Sequence, residues 1–109
     1  MENDRRLDAV FFALSDSRRR RLLEELAAGP RTVSELAKAA GLKTSAASKH
    51  LAVLEAGHLL YKTRDGRQLY CHLNFDAWRE VTSYVAMHAK FWAGRLEELE
   101  THLKESGAS

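Results

Sequence analysis

Apolar positions in the first half of the chain recur at helical spacing. Leu7, Val10, Phe11 and Leu14 share one face of a helix over residues 5 to 14. Asp16 is placed to cap a second helix that ends at Gly29, with Leu22, Leu23 and Leu26 as its buried stripe. Thr32 followed by Glu35 is a capping box opening a short helix, VSELAKAA, which Gly41 ends. A further amphipathic helix then runs from Thr44 to Ala56. A short helix, a tight glycine turn and a second amphipathic helix predict a helix-turn-helix.

The period then changes from helical to alternating. In LLYKTRDGRQLYCHL two β-rich runs flank Asp65-Gly66, which predicts a hairpin closed by a two-residue type I′ turn. Pairing outward from that turn sets Arg64 opposite Arg67, Lys62 opposite Leu69 and Leu60 opposite Cys71. From Asp76 to about Glu105 the helical period returns, with Trp78, Val85, Trp92 and Leu99 in one row and Ala89, Leu96 and Leu103 in a second. Such a helix would be about 45 Å long, more than a small domain covers. Its stripe therefore predicts a second copy of the chain packing against it and the first helix, with burial in its own core as the alternative. The dimer-facing candidates are Leu7, Val10, Phe11, Trp78, Val85, Trp92, Leu96 and Leu99.

Together these elements predict a mainly α fold with a small β-hairpin wing, a winged helix-turn-helix in one domain over residues 1–109. Residues 15–73 would form the helix-turn-helix and hairpin core, and residues 4–14 and 76–105 the dimerisation helices.

Composition narrows the class. The 109 residues are 45% hydrophobic and 29% charged, as in globular proteins. No apolar run is long enough to span a bilayer, the first residues show no signal peptide, and one cysteine, Cys71, cannot staple a domain. A cytoplasmic protein without membrane contact is expected. The net charge of +2 hides a gradient: residues 17 to 70 hold eleven Lys and Arg against five acids, a balance of +6, which leaves −4 for the flanks. A basic middle suits a polyanion, with ordinary surface scatter as the alternative.

TSAASKHLAVLEAG contains the residue types of a nucleophile, a base and a metal ligand. At about 100° per residue, Ala47, Leu51 and Leu54 lie within about 60° of one another, while Ser45, Ser48 and Lys49 lie on the other side. Ser48 and His50 diverge by about 200° on the same count, so they cannot form a catalytic pair within the helix. No catalytic residue and no enzyme activity is expected. Small hydroxyls beside a lysine suit close approach to base edges and phosphates in DNA. His50, on the flank, either packs at the edge of the core with one nitrogen satisfied or reaches a phosphate. Four consecutive arginines, 18 to 21, point four ways and make no single patch. Arg20 with Glu24 and Arg21 with Glu25 are spaced as helical ion pairs, and Arg19 projects onto the leucine side. Arg64 and Arg67 straddle a hairpin tip, where a wing would lie along DNA, or where the tip is simply solvated. His102 and Glu105 with lone His88 fall short of a metal-ligand set, and Cys71 reads as a small buried hydrophobe. No cofactor and no metal are expected.

The stretch from FFALSDSRRRRLLEEL through SELAKAAGL, SKHLAVLEAGHLL and RDGRQLYCHL resembles the winged helix-turn-helix of ArsR-type bacterial repressors over residues 8 to 75. That resemblance implies a homodimer that binds double-stranded operator DNA and represses transcription. Carried onto this chain, it makes Thr44, Ser45, Ser48, Lys49 and His50 the recognition-helix candidates. In a wing from Lys62 to Tyr70, the candidates are Arg64, Arg67 and Gln68. VSELAKAA lacks the family's cysteine motif and the C-terminal Asp/His set is incomplete, so the chain is more similar to the metal-independent members. Lys43 stands where a capping Ser is common, so Thr44 is expected to take over the cap. Ser17-Arg18 replaces the usual Pro-Thr, a change expected to be neutral. Two alternatives stay open: a metal- or ligand-responsive sensor of the same fold, its effector unknown, and a protein-interaction module without DNA.

Overall fold

The computed structural model describes residues 2–107. Five helices and three short strands follow in the order α1 (Glu2–Leu14), α2 (Ser17–Leu26), β1 (Arg31–Thr32), α3 (Val33–Ala40), α4 (Thr44–Ala56), β2 (Leu60–Asp65), β3 (Gln68–Leu73) and α5 (Phe75–Glu105). The result is mainly helical with a small antiparallel sheet. No helix among the described residues is long and apolar enough to cross a membrane.

Side-chain caps set the helix starts. The Asp16 carboxylate accepts the Arg18 backbone N–H at 2.8 Å and the Arg18 guanidinium at 2.9 Å. Those bonds hold its carboxyl well below the usual carboxylate range. At α3 the capping box is complete: Glu35 N–H donates to Thr32 Oγ1 at 3.2 Å, and Thr32 N–H donates back to Glu35 Oε1 at 3.0 Å. The bonds from Thr32 lower the Glu35 pKa too. Two expectations are corrected. Helix α2 stops at Leu26, before Gly29, and Lys43, not Thr44, is the N-cap of α4, with no side-chain cap bond. Thr44 is thus the first helical residue and its hydroxyl is left for other use.

Helices α3 and α4 end in the same Schellman motif. Leu42 N–H reaches Ala37 O at 2.8 Å and Gly41 N–H reaches Lys38 O at 3.2 Å, with Gly41 at φ 70°. At α4 the matching bonds run from Leu59 to Leu54 and from His58 to Glu55, at 3.1 and 2.9 Å. There the left-handed residue is His58, at φ 61°, and not the adjacent Gly57. Gly57 has a different reason to lack a side chain. A Cβ there would lie 3.2 Å from Ala9 O and 3.4 Å from Ala13 Cβ, so its absence lets α1 approach the end of α4.

The core is drawn from all the elements packed against α4, with Val10 and Ala13 added from α1. Leu22, Leu36, Leu51, Leu54, Leu59, Leu60 and Cys71 are fully buried, contributed by α2, α3, α4, the turn after it and the sheet. Ala47 completes the apolar face of α4, in agreement with its angular pattern. Burying one such leucine stabilises by about 1.5–3 kcal/mol.

The sheet departs from expectation in two ways. Its order is β1-β3-β2, and the two-residue β1 pairs Arg31 with Cys71 and Thr32 with Tyr70, too short a strand to leave a pattern. In the hairpin, Asp65 pairs with Gln68, Arg64 with Leu69, Lys62 with Cys71 and Leu60 with Leu73. The loop is therefore Gly66-Arg67, and the expected Asp65-Gly66 register is corrected by two residues on β3. Of the two loop residues only Gly66, at φ 64°, is left-handed, the pattern of a type II′ turn. A type I′ turn would have forced Asp65 into a conformation its Cβ resists, and would have set Arg64 against Arg67. The faces survive because the shift is even.

The chain divides into two compact units, one ending at Trp78 and one starting at Arg79. The second unit is helical through Gly94 as far as Glu105, and Val85, Met87, Phe91, Trp92, Leu96, Leu99 and Leu103 are exposed on it.

The caps generate two stability predictions. His58→Gly relieves a left-handed side chain and is expected to raise unfolding free energy by about 0.5–1 kcal/mol, while Gly57→Ala lowers it. Urea unfolding would read both, and the opposite signs would refute the division of roles. Because Asp16 and Glu35 are depressed in the folded state, their contribution is full above about pH 5 and is lost as pH falls below the unfolded values near 4. Asp16→Asn with Glu35→Gln should flatten the acid limb of stability against pH, leaving its slope at neutral pH unchanged.

Candidate nucleic-acid interface

Helix α4 is sealed on one side and open on the other. With Ala47, Leu51 and Leu54 buried, Thr44, Ser45, Ser48 and Lys49 are exposed and His50 is half-buried. No hydrogen bond within the described residues occupies the three hydroxyls or the Lys49 ammonium, so all four are available to a partner. The first turn of the helix also carries free backbone N–H groups, unblocked by a capping side chain.

At the wing, Arg64, Arg67 and Gln68 are exposed at and beside the tip. The base is closed: Leu60 and Cys71 are buried, and burial pushes the Cys71 thiol pKa up, which keeps it protonated and weakly nucleophilic. On the outer face Tyr61 stacks on His72 with centroids 4.8 Å apart, and His72 Nε2 lies 2.7 Å from Thr63 Oγ1. Lys62 is drawn inward to Glu55, in the last turn of α4, at 3.5 Å. That ion pair links the hairpin to α4. Its signal in the sequence was absent, because it depends on how far the hairpin folds back.

The arginine run is used internally. Arg18 holds Asp16, Arg21 and Arg31 both reach Glu25, and Arg20 Nη1 donates to the Leu14 carbonyl at 2.7 Å. The Arg21–Glu25 pair forms as spaced, while Arg20 turns to the end of α1 instead of pairing with Glu24. Arg19 is 8% exposed. Its Nε donates to Ala13 O at 2.8 Å and its Nη2 to Phe12 O at 2.9 Å, while Nη1 lies 3.4 Å from His50 Nδ1. Helical projection aimed Arg19 at the leucine side; its partners at the end of α1 were not visible from α2 alone. Six of the eleven cations between residues 17 and 70 are thus engaged. Lys38, Lys43, Lys49, Arg64 and Arg67 have no ion pair within the described residues, and all lie on the helix-turn-helix or the wing.

The remaining candidates are distributed as follows. Val10 is 6% exposed, so its own core already uses it, whereas Phe11 is 46% exposed and Leu7 and Trp78 are half-buried. Val85, Trp92, Leu96 and Leu99 are exposed. An apolar groove of about 440 Å³ opens between Leu14, Leu23, Leu73, Phe75 and Trp78. Among the described residues no group of three or more His, Cys, Asp and Glu is placed to hold a metal ion.

This arrangement has relatives. The profile of the family described as "Bacterial regulatory protein, arsR family" matches residues 16–62. The transcriptional repressor SdpR of Bacillus subtilis (strain 168) is 31% identical over 79 residues, 72% of this chain and 88% of the relative. The crystal structure of an ArsR family transcriptional regulator, RHA00566, superposes with a TM-score of 0.73 at 31% identity, covering 83% of this chain and 93% of that one. The homodimeric winged helix-turn-helix DNA-binding domain of Mb0332 from Mycobacterium bovis superposes with a TM-score of 0.66 at 31% identity, covering 78% and 79%. Fold, motif order and these likenesses agree: the chain belongs to the ArsR family of bacterial regulatory proteins, winged helix-turn-helix transcriptional regulators and not enzymes.

Proposed function

We propose that the chain is a homodimeric, metal-independent repressor of a near-palindromic operator, acting in the cytoplasm. Two copies of α4 would enter successive major grooves about 34 Å apart, with Thr44, Ser45, Ser48 and Lys49 toward the bases. Arg64, Arg67 and Gln68 would contact the flanking backbone or minor groove. The observation that carries this reading is the sorting of charge between residues 17 and 70: the cations of that span left without partners are those of the helix-turn-helix and the wing tip. A protein-interaction module would have no use for that selection. The name of SdpR supports repression, and the absence of cysteine from α3 supports independence from metal.

The apolar residues exposed on α5, Val85, Trp92, Leu96 and Leu99, support self-association, as does Phe11 on α1. A patch of large side chains at this exposure is costly in water and marks an interface. The homodimeric state of the M. bovis domain points the same way. In this reading residues 15–73 form the DNA-binding core, and residues 4–14 and 76–105 hold the two copies together.

Two experiments test the proposal. In a salt series on DNA flanking its own gene, Arg64→Ala with Arg67→Ala should weaken binding on every sequence. The slope of log K against log salt should fall by about 1 for each phosphate no longer neutralised. Ser45→Ala and Ser48→Ala should instead change which bases are preferred. Equal effects from both sets would end the division of labour, and no salt-dependent binding by the wild type would end the reading itself. In sedimentation, Trp92→Lys with Leu96→Lys should convert dimer to monomer and cut operator affinity at least tenfold. A variant that stays dimeric would move the interface elsewhere.

A further inference from the structure

Arg19 and His50 lie 31 residues apart and meet where the end of α1 faces the recognition helix. A guanidinium has donors and no acceptor, so the 3.4 Å contact between Nη1 and Nδ1 runs one way, from arginine to the imidazole lone pair. A neutral imidazole that accepts at Nδ1 carries its proton on Nε2. The donor is itself held by several partners: Nε and Nη2 are bound to the last carbonyls of α1, Nη2 lies 3.4 Å from Ser15 Oγ, and the guanidinium sits 5.0 Å from the centroid of Phe12.

The other end of the ring makes no hydrogen bond within the described residues, with the Asp16 carboxylate near enough to interact with it through charge. Trp78 Nε1 is the only buried side-chain nitrogen or oxygen left unpartnered among the described residues, so His50 Nε2, which has no partner among them, is reached by solvent. On α4, His50 lies about 100° from Lys49 and farther from the serines, at the edge of the exposed face. A donor at that edge meets the sugar-phosphate backbone before it meets a base.

We infer that Arg19 is a positioning residue that fixes His50 in its Nε2–H form, and that His50 Nε2–H donates to a phosphate oxygen of the bound DNA. The inference rests on the DNA-binding reading above and adds an atom, a tautomer and a support that lies outside the helix-turn-helix. It also joins the two readings of His50, since one nitrogen packs and the other binds.

Two substitutions separate the ring nitrogens. Asn at position 50 sets an amide oxygen near the place of Nδ1 and removes the outer donor. Gln sets an amide N–H near the place of Nε2 and gives up the inner acceptor. Affinity for the DNA flanking its own gene and for an unrelated duplex of equal length would be read by fluorescence anisotropy. His50→Gln should bind both within about threefold of wild type, and His50→Asn should lose about tenfold on both, the size of one hydrogen bond to a charged group. Long-range ¹H–¹⁵N spectra of the free protein should show wild-type His50 protonated on Nε2 alone, and Arg19→Lys should mix the tautomers. Asn and Gln variants of equal affinity, or a proton on Nδ1 in the wild type, overturn the inference while DNA binding stands. Wild-type protein that binds no DNA overturns the functional reading and this inference with it.

Discussion

Helix α4 must be held firmly on one side while the other stays bare, and most of the structure answers to that constraint. Ala47, Leu51 and Leu54 seal its apolar face completely. The seal needs close neighbours on several sides, which α1, α2, α3 and β2 supply. Gly57 lets α1 come within van der Waals reach of the helix end, where any side chain would meet the Ala9 carbonyl. The Schellman turn around His58 then reverses the chain into β2 without a long loop. With α4 held by packing, and by polar contacts only at His50 and Glu55, Thr44, Ser45, Ser48 and Lys49 are left without partners within the described residues.

Charge follows the same logic. The chain has a modest net charge, and its basic residues differ more by partner than by number. Arginines 18 to 21 form the densest basic run, yet they cap helices, close ion pairs and hold the end of α1. The cations of residues 17–70 left without partners, Lys38, Lys43, Lys49, Arg64 and Arg67, are more scattered in sequence and stand on α3, at the start and along α4, and at the hairpin tip. Exposed surface pairs are worth little to stability, so leaving Lys49, Arg64 and Arg67 unpaired costs the fold almost nothing. Against a polyanion the same residues release counterions and gain far more.

Local chemistry was legible in the sequence, and contacts between distant segments were not. The Asp16 cap, the Thr32–Glu35 box and the Gly41 ending are decided within four residues, and each stands where the pattern put it. The buried leucine stripes of α2 and α4 follow from helical period alone. Beyond that range the signals fail for physical reasons. Asp65-Gly66 permits two turns, and cross-strand repulsion and backbone strain choose between them only once the strands are paired. Strand β1 exists because β3 offers an edge, not because Arg31-Thr32 prefers to be a strand. The exposed side of α4 could be projected from angles, whereas the partners of Arg19 and Lys62 required the positions of α1 and the hairpin.

The wing and the helix also differ in how they are held, and this bears on what each can read. Discriminating bases requires donors fixed to a fraction of an ångström, which a packed helix supplies and a hairpin tip does not. The wing is anchored at its base, by Leu60, Cys71 and the Lys62–Glu55 pair, so its direction is tied to α4. At its tip, Gly66 and Arg67 are held by the strand pairing that ends at Asp65 and Gln68. Arg67 sits within the loop and Arg64 opposite Leu69, so the two guanidiniums can spread along a backbone without repelling across the ladder. A long cation on an exposed tip suits phosphates, which repeat regularly and tolerate small displacements. Base discrimination is therefore expected from the helix whose apolar face the core seals, and affinity from the exposed cations at the hairpin tip.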